Sequence, residues 1–515
     1  MMRELLELLP SYLAAHVQLV LAALALAISI SLPLGIAAAR APRLGRTVLA
    51  VAALVQTIPG LALLAVMVPV LAAIGLRSIG FLPALIGLTL YGLLPILRNT
   101  VTGLTGVDPA MVEAARGVGM TERQKLARVE LPLAMPVIVA GIRTATVWTV
   151  GMATLSTPVG APSLGNLIFS GLQTRNYASV LLGSAAAALL ALLLDGLVHG
   201  IELGLARRHR APIAASLGGL ALLAIAALAP ALGDTLRAGE RPVVIGAKTF
   251  TEQYVLSELI ALWVGRSTGL PTEIRASLGS TVAYDALASG DIDVYVDYSG
   301  TLWATILERP APPPDRATAL AEIARFVRER HGIELVCALG FENAYALAIR
   351  SRDADRLGIR RVGDLAAHAP SMSIGGDYEF FSRPEWRAVR DTYGLRFATE
   401  RSMDSSLMYQ AAAAGDVDVI SAFSTDGRIA GLDLRVLEDD RGAIPPYDAI
   451  VLASARLVRE QPAVIAALRR LAGRIDARTM RAANLAVDEH GRAPAAVAQG
   501  MLLALAGAAT DAPAP

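Results

Sequence analysis

Long apolar runs dominate the first half of the chain. They cover Leu13–Ala39, Val48–Gly75, Ile79–Leu97, Pro136–Leu155, Ala178–Leu205 and Ala211–Leu232. Each is long enough, or nearly so, to cross a hydrocarbon core about 30 Å thick. None carries the charged face that a helix packed on a soluble core presents to water. The pattern predicts an all-α domain of six spans over residues 1–233. A short polar linker follows at 234–242, and then the period changes. Val243-Val244-Ile245-Gly246 is an apolar run of buried-strand type, and a helix opens near Thr251 with Glu252 in its first turn. Strand-then-helix alternation continues over 243–515, with a loop at Pro310–Asp315. It predicts an α/β domain with a mostly parallel sheet.

Charge divides the chain at the same place. The 515 residues hold 46 Lys+Arg and 45 Asp+Glu, and 54% are hydrophobic. Residues 1–233 carry 15 basic and 8 acidic side chains, whereas the remainder carries 31 and 37. An apolar, basic half joined to a polar, acidic half excludes a single globular domain and a disordered chain. With no domain-wide basic surface, a nucleic-acid partner is excluded too. The loop arginines give the orientation. Arg40, Arg43 and Arg46 follow the first span; Arg98, Arg116, Arg123, Lys125 and Arg128 follow the third; Arg207, Arg208 and Arg210 follow the fifth. Six spans put these loops on one side, and the positive-inside rule makes that side the cytoplasm of a multi-pass inner-membrane protein. The amino terminus and everything after span 6 then lie outside. No cleavable-signal pattern stands at Met1–Arg3, so span 1 is expected to remain. Pro33, Pro59, Pro69 and Pro95 lie in or at the ends of spans, which fits a translocation path or simple kinks.

Candidate chemistry is sparse. The one cysteine, Cys337, allows no intrachain disulfide or thiolate metal cluster, and six histidines are scattered without ligand spacing. No metal site is expected. Lysine occurs twice, at Lys125 and Lys248, against 44 arginines. Neither lysine follows a glycine, so there is no Gly-Lys-Ser/Thr phosphate loop. No nucleotide-hydrolysing site is expected in this chain.

The loop at 98–132 has an organisation of its own. Glu113-Ala114-Ala115-Arg116 forms a short helix, Gly119 breaks it, and a second polar helix runs to Val129-Glu130-Leu131-Pro132, where proline is expected to stop it. A compact cytoplasmic hairpin with two capped segments predicts a docking element for a soluble partner.

In the second half an echo stands out. Ala286-Leu287-Ala288-Ser289-Gly290-Asp291-Ile292-Asp293-Val294 matches Ala411-Ala412-Ala413-Ala414-Gly415-Asp416-Val417-Asp418-Val419. An aromatic stands eight residues after each glycine, Tyr298 and Phe423. Two lobes then each offer an aromatic beyond the carboxyl end of a strand, where open α/β sheets bind ligands. Tyr345 and Tyr447 fall at the inferred crossovers between lobes. The four rings can enclose a cation against their negative faces. Lys248, as a point charge, and Arg383, as a bidentate fork, can hold a carboxylate.

Two family resemblances follow from these motifs. Glu113-Ala114-Ala115, Gly119 and Leu131-Pro132 resemble the coupling loop of bacterial ABC importer permeases, and Gln56-Thr57-Ile58-Pro59-Gly60-Leu61-Ala62-Leu63-Leu64 resembles the permeases of the quaternary-amine uptake group. The resemblance implies that the loop docks into a separate cytoplasmic ATPase, which binds ATP and Mg. Residues 243–510 resemble the extracytoplasmic binding proteins for glycine betaine, choline and carnitine. They do so through Lys248-Thr249-Phe250-Thr251-Glu252-Gln253, Asp293-Val294-Tyr295-Val296-Asp297-Tyr298-Ser299-Gly300-Thr301 and Ser424-Thr425-Asp426-Gly427-Arg428-Ile429. This implies a type II periplasmic-binding-protein fold, with lobe 1 over about 243–342 and 443–515 and lobe 2 over about 343–442. It also implies a trimethylammonium pocket of Tyr298, Tyr345, Phe423 and Tyr447, with Lys248, the Thr301 hydroxyl and Arg383 at the polar end. The tyrosine usual at position 423 is phenylalanine here. The expectation is a fused permease and binder, homodimeric in the lipid bilayer, that imports a betaine-like osmoprotectant and is not itself an enzyme. Such fused chains also resemble ergothioneine importers. A membrane-tethered solute sensor is the rival of another class, and it lacks the cytoplasmic signalling domain that it would need.

Overall fold

The computed structural model describes residues 2–174, 176–236, 241–309, 313, 315–378 and 380–507. The chain divides into two compact units. One is helical, Met2–Phe169 with Ala178–Gly239; the other is α/β, Glu240–Pro515, and Ser170–Tyr177 groups with it.

The helical unit runs α1 Met2–Arg40, α2 Pro42–Thr57, α3 Gly60–Ala73, α4 Phe81–Thr105, α5 Pro109–Gly117, α6 Glu122–Lys125, α7 Leu131–Ala153, α8 Gly165–Gln173, α9 Tyr177–Ala206 and α10 Arg210–Leu236. Among the described residues, five helices are long and apolar enough to cross a membrane, or six if α2 and α3 count as one span. The expected continuous span at Val48–Gly75 is corrected here: α2 and α3 meet at 99°. The cause is local. A residue before proline is pushed out of the helical region, and Ile58, before Pro59, has φ −71° and ψ 127°. The Tyr91 hydroxyl donates to the freed Ile58 carbonyl, and Gln56 Nε2 donates to the Tyr91 carbonyl at 3.1 Å. An apolar setting demands such partners.

A second expectation also changes. Pro132 does not stop a helix. The chain is helical from Glu122 to Val159, with a widened π turn at Leu126–Glu130 and Pro132 in the first turn of α7. Leu131 N–H bonds back to Leu126 O, so the ladder runs through the widened turn, and proline withholds only its own donor there. The expected polar linker at 234–242 begins inside α10, which reaches Leu236; residues 237–240 lie outside the described residues.

The α/β unit holds two five-stranded sheets among its described residues. Its strands are β1 Val243–Lys248, β2 Thr272–Leu278, β3 Val294–Tyr298, β4 Glu334–Glu342, β5 Tyr345–Arg350, β6 Ser373–Gly376, β7 Thr399–Ser402, β8 Val419–Phe423, β9 Leu434–Val436 and β10 Asp448–Ala453. Their orders are β2-β1-β3-β10-β4 and β7-β6-β8-β5-β9. The sheets share one plan. β1 is parallel to β2 and β3, as β6 is to β7 and β8; β10 and β5 are the antiparallel insertions. The chain leaves the first sheet after β4 and returns at β10, and the two crossovers touch where Asn343 N–H donates to Tyr447 O at 3.0 Å. β1, β3, β5 and β10 are buried along their whole length, which is the pattern of strands covered on both faces. The loop expected at Pro310–Asp315 lies mostly outside the described residues.

One ion pair ties α7 to α9. Arg143 meets both carboxylate oxygens of Asp195, at 2.5 and 2.8 Å, with His199 Nδ1 at 3.2 Å from its Nη1. Arg143 stands twelve residues into α7, about 18 Å along the axis. A charge at that depth of a membrane span needs its partner. Arg143→Ala and Asp195→Ala are each expected to destabilise the detergent-solubilised protein by about 1–2 kcal/mol, the upper range for polar contacts between membrane helices. The exchanged pair Arg143→Asp/Asp195→Arg should recover part of that loss. Thermal melts of the three variants check it; no recovery would mean that the pair does not hold the helices.

Candidate functional site

The seven residues expected at the ligand site line one cavity of the α/β unit. Sheet topology explains the convergence. Tyr298 is the last residue of β3 and Phe423 the last of β8, so the echo places them at matching ends of two matching strands. Tyr345 opens β5 opposite Phe423 in the ladder, and Tyr447 directly precedes β10. Lys248 ends β1, and Arg383 precedes the helix Pro384–Tyr393 at its N-cap. Thr301 closes the short turn Ser299–Thr301 after β3.

The rings form a connected wall. Tyr345 lies 5.1 Å from Phe423 and 5.8 Å, edge-on, from Tyr447, centroid to centroid. Phe250 joins Tyr298 at 6.0 Å to Phe423 at 6.2 Å. Phe250 is a cavity residue that the sequence expectation missed. Its only signal was its place two residues after Lys248, since it has no counterpart in the echo. Asn343, Ser280, Asp377, Asp404 and Ser405 also line the cavity and were not anticipated.

Both cations are balanced by protein carboxylates. Lys248 Nζ donates to Asp297, which also accepts from the Tyr295 hydroxyl at 2.6 Å and the Tyr298 N–H at 2.7 Å. Lys248 is 3% exposed, with Nζ 5.7 Å from the Tyr298 ring centroid. Arg383, 7% exposed, lies with Cζ 5.6 Å from the Tyr345 ring centroid and Nη1 3.9 Å from Glu385 Oε1. Glu385 also accepts from the Tyr447 hydroxyl.

Behind the wall sits Glu252, fully enclosed. Its Oε1 accepts from the Tyr298 hydroxyl at 2.5 Å and Asn343 Nδ2 at 3.1 Å; its Oε2 accepts from the Thr425 hydroxyl at 2.6 Å and Asn484 Nδ2 at 3.1 Å. Burial pushes this carboxyl up, and its four donors oppose the shift. Tyr298 and Tyr447 are pushed well above the usual phenol value, first by burial and then by the adjacent carboxylate. Their hydroxyls therefore keep the proton they donate.

The loop residues Glu113, Ala114 and Ala115 lie in α5, capped by Asp108, which accepts from Ala110 N–H at 2.9 Å. Gly119 has φ +80°, a left-handed turn in which Met120 N–H returns to Ala115 O at 3.1 Å. A capping box between Thr121 and Gln124 opens α6. Lys125, 3% exposed, sits 2.7 Å from Glu122 and 3.7 Å from Glu130. Leu131 and Pro132 begin α7.

Residues 241–502 match the family model "Substrate binding domain of ABC-type glycine betaine transport system", and residues 31–211 match "Binding-protein-dependent transport system inner membrane component". The chain is 32% identical over 458 residues to the "Ergothioneine transport permease/ergothioneine binding protein EgtU" of Helicobacter pylori (strain G27), covering 87% of this chain and 81% of that protein. It belongs to the ABC importer subunits that fuse a permease to its substrate-binding domain. Separate relatives match each half. The osmoprotectant import permease OsmW of Salmonella typhimurium is 42% identical over 187 residues, 36% of this chain and 86% of the relative. The carnitine transport binding protein OpuCC of Listeria monocytogenes is 30% identical over 282 residues, 53% of this chain and 89% of the relative.

The importer subunit is thus a membrane protein and not an enzyme, and its cavity belongs to the family's binding domain. Gly300 seats one wall of that cavity. A Cβ there would lie 2.5–2.7 Å from three Tyr447 ring atoms. Gly300→Ala must displace the ring, an overpacking cost of about 1–3 kcal/mol. The variant is expected to bind ligand at least about tenfold more weakly, a factor of ten being ~1.4 kcal/mol, while its far-ultraviolet dichroism is unchanged. Unaltered affinity by calorimetry would show that Tyr447 does not shape the pocket.

Proposed function

We propose that this subunit imports a trimethylammonium betaine and that ergothioneine is the member it carries. The observation behind the class is the wall of five rings in one cavity with Lys248 and Arg383. Ring faces suit a quaternary ammonium that cannot donate hydrogen bonds, and cations suit a carboxylate. A ligand carboxylate would share Lys248 with Asp297 and Arg383 with Glu385, and the Thr301 hydroxyl adds a donor. Two observations favour ergothioneine over a smaller betaine. The relative that shares the fused layout carries that name. The cavity is also lined by Asp377 and Asp404, whose carboxylates are natural acceptors for the N–H groups of an imidazole-thione. The second reading, a small osmoprotectant betaine, draws support from the separate binding-domain relative, named for carnitine.

In this reading ATP hydrolysis, with its Mg, belongs to a separate cytoplasmic subunit that docks on the hairpin of α5 and α6. Val118 at its tip is 74% exposed and Met111 48%, an apolar surface that a partner would cover. Two copies would form the translocation path, since identical permease units enclose one by two-fold symmetry. The loop arginines support a hairpin inside and a binding domain outside.

Calorimetry of the full chain in nanodiscs against ergothioneine, glycine betaine, carnitine and choline tests the ligand. Ergothioneine is expected to bind at least about tenfold more tightly than the others, roughly 1.4 kcal/mol. Glycine betaine or carnitine ranking first would overturn the choice within the class, and failure of all four would overturn the class.

The hairpin has a separate test. Glu113→Lys reverses a charge on α5, and Gly119→Pro cannot adopt φ +80°. Both should abolish uptake into cells and leave ligand binding by the purified chain unchanged. Parallel loss of binding and uptake would refute the separation of the two sites.

A further inference from the structure

The pocket tyrosines have something behind them that the ligand does not touch. Tyr298 donates its hydroxyl to Glu252, and Tyr447 donates to Glu385. The two carboxylates are 2% and 3% exposed, so water screens neither. They come from different elements, Glu252 from the start of the helix Thr251–Thr268 and Glu385 from the first turn of Pro384–Tyr393. The same arrangement therefore occurs at two places in the wall of one cavity, with carboxylates from unrelated segments. Four donors on Glu252 fit its ionised form, which only accepts.

We propose that Glu252 and Glu385 are specificity-determining positioning residues, which act through the phenols of Tyr298 and Tyr447 to make the aromatic wall selective for a cation. The physics has two parts. A phenol that donates to a carboxylate gains electron density on its ring, and the negative ring face is what attracts a cation. The hydrogen bond also fixes how each ring faces the cavity. Neither effect helps a neutral group of the same shape, so the carboxylates set discrimination more than tightness. Phe423 has no hydroxyl to polarise; of the wall's three tyrosines, Tyr298 and Tyr447 are the two seen to donate to these carboxylates.

This inference rests on the cation reading of the pocket, and the test separates the two. The probes are glycine betaine and its carbon isostere 3,3-dimethylbutanoate, which carry the same carboxylate and differ in the quaternary centre. They fill only the part of the cavity that every trimethylammonium betaine must fill. Binding to the full chain in nanodiscs is measured by calorimetry for wild type, Glu252→Gln, Glu385→Gln and Tyr447→Phe.

Wild type should prefer glycine betaine by about tenfold or more, in the range of a desolvated cation–π contact. Equal binding of the two probes removes the cation reading and the inference with it; binding of neither, where ergothioneine binds, overturns the inference alone. Given that preference, each Glu→Gln variant should reduce the ratio about three- to tenfold; Glu385 also shares Arg383, and any change in carboxylate binding falls on both probes alike and leaves the ratio untouched. Equal losses for both probes would make the carboxylates merely structural, and the cation reading would survive. Glu252→Gln leaves two of four donors misplaced and can fail to fold, so Glu385→Gln carries the decision, with a thermal melt to confirm folding. In the Tyr447→Phe background, Glu385→Gln should not change the ratio further. A further drop there would show that Glu385 acts without the phenol and would overturn the proposed route.

Discussion

A carboxylate removed from water must find its donors in the protein, because an unpaired buried charge costs several kcal/mol. Glu252 meets that requirement with four donors from four places: the end of β3, the crossover after β4, the segment after β8 and the helix Ala477–Asp488. Each donor is useful only if its segment is correctly placed, so one side chain checks the docking of both sheets. Thr425 is the contribution from beyond the second sheet, and Tyr298 brings the ligand wall into the same arrangement. The pocket is thus organised from behind, and the rings that line it are the visible edge of a buried polar network.

The same economy governs the cations. The chain uses arginine nearly everywhere, and its two lysines are both buried at 3% exposure, each against carboxylates. A compact ammonium with three donors fits where a planar guanidinium would need a wider slot. Lys125 holds Glu122 and Glu130 around the π turn that leads into α7, and Lys248 holds Asp297 at the end of β3. Rarity marked these positions in the sequence. What rarity did not reveal is that a protein carboxylate already shares each charge.

Much of the architecture was legible because it is periodic. Hydropathy located the helices α1, α4, α7, α9 and α10, and the Gly290 and Gly415 echo placed Tyr298 and Phe423 at equivalent strand ends. Two features escaped because hydropathy carries no direction. The apolar run from Val48 to Gly75 has no gap, yet Pro59 turns it by 99°. Pro132 looks like a stop, yet a π turn just before it lets the helix continue. The Glu252 network was out of reach for another reason. Its partners lie 46, 91, 173 and 232 residues away, and no local pattern links such positions. Phe250 was missed because it has no echo.

Fusion itself has a physical consequence. A separate binding protein must find its permease by diffusion, and its encounter rate depends on how much of it is made. Joining the two halves makes the encounter intramolecular, with an effective concentration in the millimolar range for short flexible connections. Occupancy of the permease then no longer depends on expression of a second protein, and ligand affinity becomes the remaining control on delivery. That shifts selective weight onto the cleft. A tethered binder that accepts neutral look-alikes presents them to its permease at the same high local concentration as the true solute. For the trimethylammonium ligand proposed above, discrimination at the quaternary centre is therefore worth more in a fused chain than in a free binder. In the proposed reading, a wall in which Tyr298 and Tyr447 are each backed by a buried carboxylate would supply that discrimination from behind the rings.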